Sequence, residues 1–76
     1  MNNKRRDSLR LAINMLEAAQ KAVDKALDEE QDALDSMPEN LEYSEQYEKM
    51  ENAVDCLDSA LENISDAIEQ VGEAIQ

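Results

Sequence analysis

Acidic side chains are the residues of this chain whose type and spacing could support chemistry. Glu29 with Asp32, and Glu48 with Glu51, are three residues apart, which places both carboxylates of each pair on one face of a helix. Some all-helical nucleotide pyrophosphohydrolases hold Mg²⁺ with acidic pairs of this spacing. However, such pairs arise by chance when 19 of 76 residues are acidic, and the basic residues that would hold a triphosphate are missing nearby. We therefore expect no catalytic, metal or cofactor site, and a Mg²⁺-dependent nucleotide hydrolase is an alternative that the sequence disfavours.

Most other catalytic chemistry lacks its residues. The chain has no His, so it cannot form a Ser/His/Asp or Cys/His catalytic arrangement or a His-containing metal site. Its single Gly cannot form a glycine-rich phosphate-binding loop, and a net charge of -12 disfavours direct binding to nucleic acid. The composition therefore points to a non-enzymatic protein.

A dense run of acids, residues 28–48, forms a segment that we call the acidic end. Nine Asp and Glu residues lie in it, and no Lys or Arg lies among them. Such a surface either keeps the protein soluble or binds a basic protein partner, in the second case with carboxylates spaced much like nucleic acid phosphates. Tyr43, beside the predicted turn, is a further contact candidate. The predicted partner-binding residues are Asp32, Asp35, Glu39, Glu42, Tyr43, Glu45 and Glu48.

Smaller features of the sequence have simpler interpretations. The basic residues between positions 4 and 10 are expected to be neutralised by Glu69, Glu73 and the carboxyl terminus, with a phosphate or partner contact as the alternative. Cys56 is the only cysteine, so no internal disulfide forms, and we expect a partly exposed thiol without function. The absence of a signal-peptide pattern and of a long apolar run predicts a cytoplasmic protein that does not bind membranes.

Repeating apolar patterns predict the elements that position these residues. The composition favours helix, with no Gly or Pro before Pro38. In the first half, apolar rows at heptad spacing define one helix face, interrupted by Gln20 and Glu30. In the second half, apolar residues alternate in steps of three and four from Tyr47 to Ile75, which is typical of a coiled coil. A polar residue in such a seam either specifies register and oligomeric state or lies at its edge.

Capping signals mark the boundary between two helices. Pro38 disfavours helical geometry in the preceding residue, so the first helix should end near Ser36. Ser44, followed by acids, is a favourable N-cap for the second helix, and Ser36 with Glu39 is a second possible capping box inside the loop. The predicted boundaries are one domain over 1–76, a frayed start over 1–6, helix 1 at about 7–36, a loop at about 37–43 and helix 2 at about 44–75.

The two apolar faces match each other in an antiparallel arrangement. Facing residues of an antiparallel hairpin have numbers with a constant total, and the pairs Leu9 with Ile75 and Leu27 with Leu57 both total 84. The midpoint of the turn then falls at residue 42, inside the predicted loop. The predicted fold class is all-α, an antiparallel, coiled-coil-like helical hairpin.

Two helices do not enclose a core, so the sequence also predicts self-association. Helix 1 carries a second apolar strip in its N-terminal half, and small residues in this strip and in two alanine rows would let helices approach closely. We expect a homodimer that forms a four-helix bundle. The predicted self-association residues are Leu11, Met15, Ala18 and Ala22.

Two motifs stand out in the second half of the chain, Met37-Pro38-Glu39-Asn40-Leu41 and Ser44-x-x-Tyr47-Glu48-Lys49-Met50-Glu51. Through these motifs, this half resembles small acidic helical proteins of prophages and phages of Firmicutes. The resemblance implies a mobile-element origin and carries no catalytic residue with it. It also implies an accessory or inhibitor protein that occupies a basic surface of a host enzyme, as an anti-CRISPR protein does. The competing interpretation is a purely structural oligomerisation module.

Overall fold

Two long α-helices, α1 (Asn3–Asp35) and α2 (Glu45–Ile75), make up most of the chain in the computed structural model, which describes residues 1–41 and 43–76. A short 3₁₀ turn, Glu39–Leu41, lies between them. The helices pack against each other along their length, and no strand occurs among the described residues. The predicted all-α helical hairpin is confirmed.

The first helix begins four residues earlier than the sequence predicts. Asn2 is its N-cap, because the side-chain Oδ1 accepts a hydrogen bond from the backbone N–H of Arg5 at 2.8 Å. Arg6 adds a bond between the helices, since its Nε donates to the backbone oxygen of Ile75 at 3.0 Å. The prediction of a frayed start over 1–6 is therefore wrong. A polar cap and a long-range hydrogen bond hold a segment that has no apolar periodicity.

The connection between the helices uses two serines in different ways. α1 ends at Asp35, and the backbone N–H of Ser36, its C-cap, donates to the backbone oxygen of Asp32 at 3.0 Å. Ser36 therefore closes α1 and is not the start of a capping box. Ser44 is the N-cap of α2, as predicted, and its Oγ accepts a hydrogen bond from the backbone N–H of Tyr47 at 3.1 Å.

The apolar seam lies between the helices but remains partly open to solvent. All seam positions are half-buried. They are Leu9, Ile13, Leu16, Gln20, Val23, Leu27, Glu30 and Leu34 of α1, Met37 of the connection, and Tyr47, Met50, Val54, Leu57, Leu61, Ile64, Ile68, Val71 and Ile75 of α2. None of the described residues is fully buried. The molecule is a rod of 59 × 14 × 14 Å, and its radius of gyration of 17.3 Å exceeds the roughly 11 Å expected of a compact domain of this length.

The contacts between the helices agree with the predicted register. The Nε2 of Gln20 donates to the Oγ of Ser65 at 3.2 Å. Ser65 is the immediate neighbour of Ile64, the residue that faces Gln20 when paired positions total 84. The bond from Arg6 to Ile75 joins the two helices at the opposite end from the loop. We call this end, residues 3–10 and 66–75, the open end.

Candidate interaction site

The acidic end forms one end of the rod, where α1 finishes and α2 starts. Asp32 and Asp35 occupy the last turn of α1, Glu39 opens the 3₁₀ turn, and Glu45 and Glu48 lie in the first turn of α2. All five residues are exposed. The hairpin thus places acids that are up to sixteen positions apart in the sequence at the same end of the molecule.

Tyr43 is the most exposed large side chain at this end. It is 93% exposed, whereas Tyr47, the other aromatic residue, is half-buried at the seam. An aromatic ring with this exposure contributes little to packing within the hairpin and is accessible to a partner. Glu42, which was also predicted to bind a partner and to mark the midpoint of the turn, lies outside the described residues.

Basic groups within the hairpin hardly neutralise the acidic end. In the part of the chain that the structure describes, the ion pairs are Lys49 with Glu45 at 3.5 Å and Arg10 with Asp7 at 2.9 Å. All four side chains are mostly exposed, so each pair contributes little to stability. Only the first pair reaches the acidic end. The field of the other carboxylates therefore extends into the solvent.

Two of the acids lie where they weaken their own helix. Asp32 and Asp35 are at the C-terminal end of α1, where the helix macrodipole is negative, and its last turn contains no base. An exposed charge of the unfavourable sign at this position costs roughly 0.3–1 kcal/mol. The Nε2 of Gln31 donates to Oδ1 of Asp35 at 2.9 Å, which offsets part of the cost. Glu45 and Glu48, at the positive end of α2, have the favourable sign.

Two of the four basic residues of the open end have partners that the sequence did not predict. Arg10 pairs with Asp7, one turn away on α1, and Arg6 reaches α2 at a backbone carbonyl oxygen. No ion pair with Glu69 or Glu73 forms among the described residues. A partner one turn away on the same helix is close whatever the packing of the hairpin, so it competes well with acids across the seam.

The second apolar strip of α1 is exposed but small. Leu11 and Met15 are 56% and 64% exposed, and Ala18 and Ala22 are exposed as well. At about 100° per residue, these positions lie on the side of α1 nearly opposite the seam. A second copy bound there would extend the hairpin into a flat row of helices and would leave the seam as open as before. Self-association through this strip stays a prediction.

The acidic pairs considered for Mg²⁺ are exposed and lie on different helices. Glu29 and Asp32 belong to α1, and Glu48 and Glu51 to α2. Over residues 1–41 and 43–76, no group of three or more acids or cysteines is arranged to hold a metal ion. Cys56 is an exposed free thiol.

Neither helix, as far as the chain is described, is long and apolar enough to cross a lipid bilayer.

A shallow groove crosses the middle of the hairpin on the side of the Gln20–Ser65 bond. Its volume is about 510 Å³, and charged residues of both signs line it, including Lys21, Asp24 and Asp58. The heptad pattern does not predict this groove, because the groove forms only where polar residues of both helices come together. The mixed charges give it no strong preference for one kind of ligand.

Comparison with known proteins adds no family assignment. No family model, curated protein or solved structure matches the chain. The function must therefore be argued from the charges, exposures and contacts of the hairpin itself.

Proposed function

We propose that this chain is a non-enzymatic interaction protein whose acidic end binds a basic surface of a protein partner. Uncompensated charge is the observation that carries the proposal. Nine acids lie between positions 28 and 48 with no Lys or Arg among them, and one weak, exposed ion pair to Lys49 reaches the described part of this segment. A concentrated potential of this kind accelerates the encounter with a basic surface and orients it.

The position of Asp32 and Asp35 supports binding over solubility alone. Acids anywhere on the surface keep a protein soluble, whereas acids at the negative end of α1 lower the stability of that helix. A requirement for negative charge at this end of the molecule, as binding to a basic partner would impose, accounts for this loss of helix stability. Tyr43 adds an exposed aromatic ring beside the carboxylates, as is common in protein interfaces.

The chemistry of the acidic end also suggests the class of partner. Exposed carboxylates on successive helical turns resemble a phosphate backbone, so they can occupy a groove lined with Lys and Arg. We propose a nucleic-acid-handling target, such as a CRISPR effector, a nuclease or a recombination enzyme, in the cytoplasm of a phage host. The resemblance to small acidic phage proteins supports such an accessory, inhibitory role.

The proposal is tested with two triple variants matched in charge. The first replaces Glu39, Glu45 and Glu48 with Gln. The control replaces Glu62, Glu69 and Glu73 with Gln, all exposed on the far half of α2. Both sets change the net charge from -12 to -9.

Each variant is used as bait in a lysate of the native host, and its partners are identified by mass spectrometry. The affinity of each variant for the purified partner is then measured by calorimetry. We expect the first variant to lose about tenfold in affinity and the control about twofold or less. Equal affinities for the two variants would overturn binding through the acidic end.

Salt dependence and competition test the class of partner. Because ion pairing supplies most of the encounter energy, binding should weaken steeply between about 0.05 and 0.3 M salt. The partner's own DNA or RNA should displace the protein. A partner that binds equally well with its nucleic acid in place would overturn the mimicry, while the charge-matched variants would still decide whether the acidic end binds. A partner with an acidic or wholly apolar contact surface would favour the purely structural module.

A further inference from the structure

The two sides of the hairpin that flank the seam differ in composition. On one side, four alternate seam residues of each helix are directly preceded in the sequence by an alanine. We call this side the alanine face. Its members are Ala12, Ala19, Ala26 and Ala33 on α1 and Ala53, Ala60, Ala67 and Ala74 on α2. In the antiparallel register of this hairpin, positions just before the seam lie on the same side of both helices, so the two rows run next to each other.

The other side of the seam is polar. The positions one residue after alternate seam residues are Arg10, Glu17, Asp24 and Gln31 on α1 and Glu51, Asp58, Ser65 and Gly72 on α2. The amide of Gln20 turns to this side to reach Ser65. The hairpin is therefore a two-helix layer with one apolar side and one polar side, which is the pattern of a layer that is covered on one side only.

The apolar side of the hairpin, seam and alanine face together, has about the area of a small stable interface. It runs over residues 9–37 of the chain, about 42 Å at a rise of about 1.5 Å per residue. A rectangle of this length and of the rod's 14 Å width measures roughly 600 Å², which is the lower limit of what a specific protein interface buries on each partner. No described residue is fully buried, and Ala19, Ala26 and Ala33 on this face are exposed. In a small hairpin without a buried core, the free energy gained by burying apolar area does not offset the conformational entropy lost on folding. Stable folding therefore requires that another molecule packs against this face.

We propose that a second copy of this chain covers the alanine face and that the two hairpins lie antiparallel in a four-helix bundle. The seam and alanine positions together form the wide apolar stripe that lines such a bundle. A two-fold axis uses the same face of both copies, and alanine lets the two layers approach closely. Leu11, on the side of α1 that faces away from the seam, lies outside this interface.

Charge decides the orientation of the two copies. The acidic end carries nine acids and no base, whereas the open end carries four bases and four acids. A parallel dimer would place two acidic ends side by side. The antiparallel dimer separates them by most of the 59 Å length of the rod, far beyond a Debye length of about 8 Å. It places each acidic end beside the open end of the other copy, whose four bases and four acids have no net charge, so the acidic end meets no repulsion there and keeps its own charge. The proposal does not rest on the proposed function.

The first test uses the same substitution on the two exposed surfaces of α1. Ala26→Glu places a charge on the alanine face, and Ala18→Glu places it on the side of α1 that faces away from the seam; both alanines are exposed in the hairpin. Sedimentation of the full chain should show a dimer at micromolar concentration. Ala26→Glu should raise the dissociation constant at least about tenfold, because two charges enter an apolar interface, and Ala18→Glu should leave it unchanged. A monomeric wild type, or dissociation by Ala18→Glu, would overturn the proposal.

The second test measures orientation and does not require Ala26→Glu to fold. A Cys56→Ser, Asn40→Cys chain carries one spin label at the 3₁₀ turn. The turn is roughly 25–30 Å from the middle of the alanine face at about 1.5 Å per residue, so the antiparallel dimer should give a distance of about 50–60 Å between labels. A distance below about 30 Å would show a parallel dimer and would overturn the arrangement.

Discussion

Gln20 shows how a polar residue is accommodated in an apolar seam. Its side chain is half-buried and donates to the hydroxyl of Ser65 at the edge of the seam, at 3.2 Å. Glu30, the second polar interruption, is also half-buried. Because the bond of Gln20 joins one position of α1 to one position of α2, it favours a single register of the hairpin, as a buried polar residue does in coiled coils.

Replacing Gln20 with Leu should stabilise the hairpin by about 0.5–1 kcal/mol. The leucine continues the seam beside Ile64, and its partial burial outweighs one exposed hydrogen bond. Urea unfolding followed by circular dichroism at fixed protein concentration measures the change. Ser65→Ala is the control, since it removes the acceptor without adding apolar area and should lower stability by less than about 1 kcal/mol. A less stable Gln20→Leu chain would show that the hydrogen bond dominates at this position.

At the scale of the elements, the two helices depend unequally on their N-caps. Ser44 caps α2 immediately after the turn, where the first helical residues must start packing against α1. Asn2 caps α1 at the open end of the rod, where a lost turn removes little packing. The same kind of hydrogen bond should therefore matter more at Ser44 than at Asn2.

Ser44→Ala should lower the free energy of unfolding by about 1 kcal/mol, the usual effect of removing a serine N-cap. Asn2→Ala should cost less, because the first turn of α1 can fray without opening the seam. Urea unfolding of both variants at one protein concentration provides the comparison. A larger loss for Asn2→Ala would mean that the bond from Arg6 to Ile75 depends on an intact first turn.

The parts of the structure that follow from repeating patterns could be predicted from the sequence. The heptad seam and the capping signal at Ser44 define the hairpin, and the hairpin places the acids of residues 28–48 at one end. The start of α1 could not be predicted in this way, because it depends on one cap and on a carbonyl far away in the chain. That Arg10 forms its ion pair with Asp7 could not be predicted either, because the pairing depends on side-chain conformation, which no residue pattern specifies.

At the scale of the whole molecule, the hairpin combines high charge with little burial. The rod exposes a net charge of -12 over a length of 59 Å, and none of its described residues is fully buried. Repulsion between like charges therefore opposes a small apolar gain. The stability of such a molecule should respond to conditions that change either of these two contributions.

Raising the ionic strength from about 0.01 to 0.5 M should therefore stabilise the protein. The Debye length falls from about 30 Å to about 4 Å, which screens the repulsion within the acidic end. The described ion pairs, Arg10 with Asp7 and Lys49 with Glu45, are exposed and contribute little that salt could remove. We expect the melting temperature to rise by about 5 °C or more in circular dichroism melts at constant protein concentration. The variant with Gln at 39, 45 and 48 should show a smaller rise, because it has fewer repelling charges. A melting temperature that falls with added salt would show that ion pairing outweighs repulsion in the folded protein.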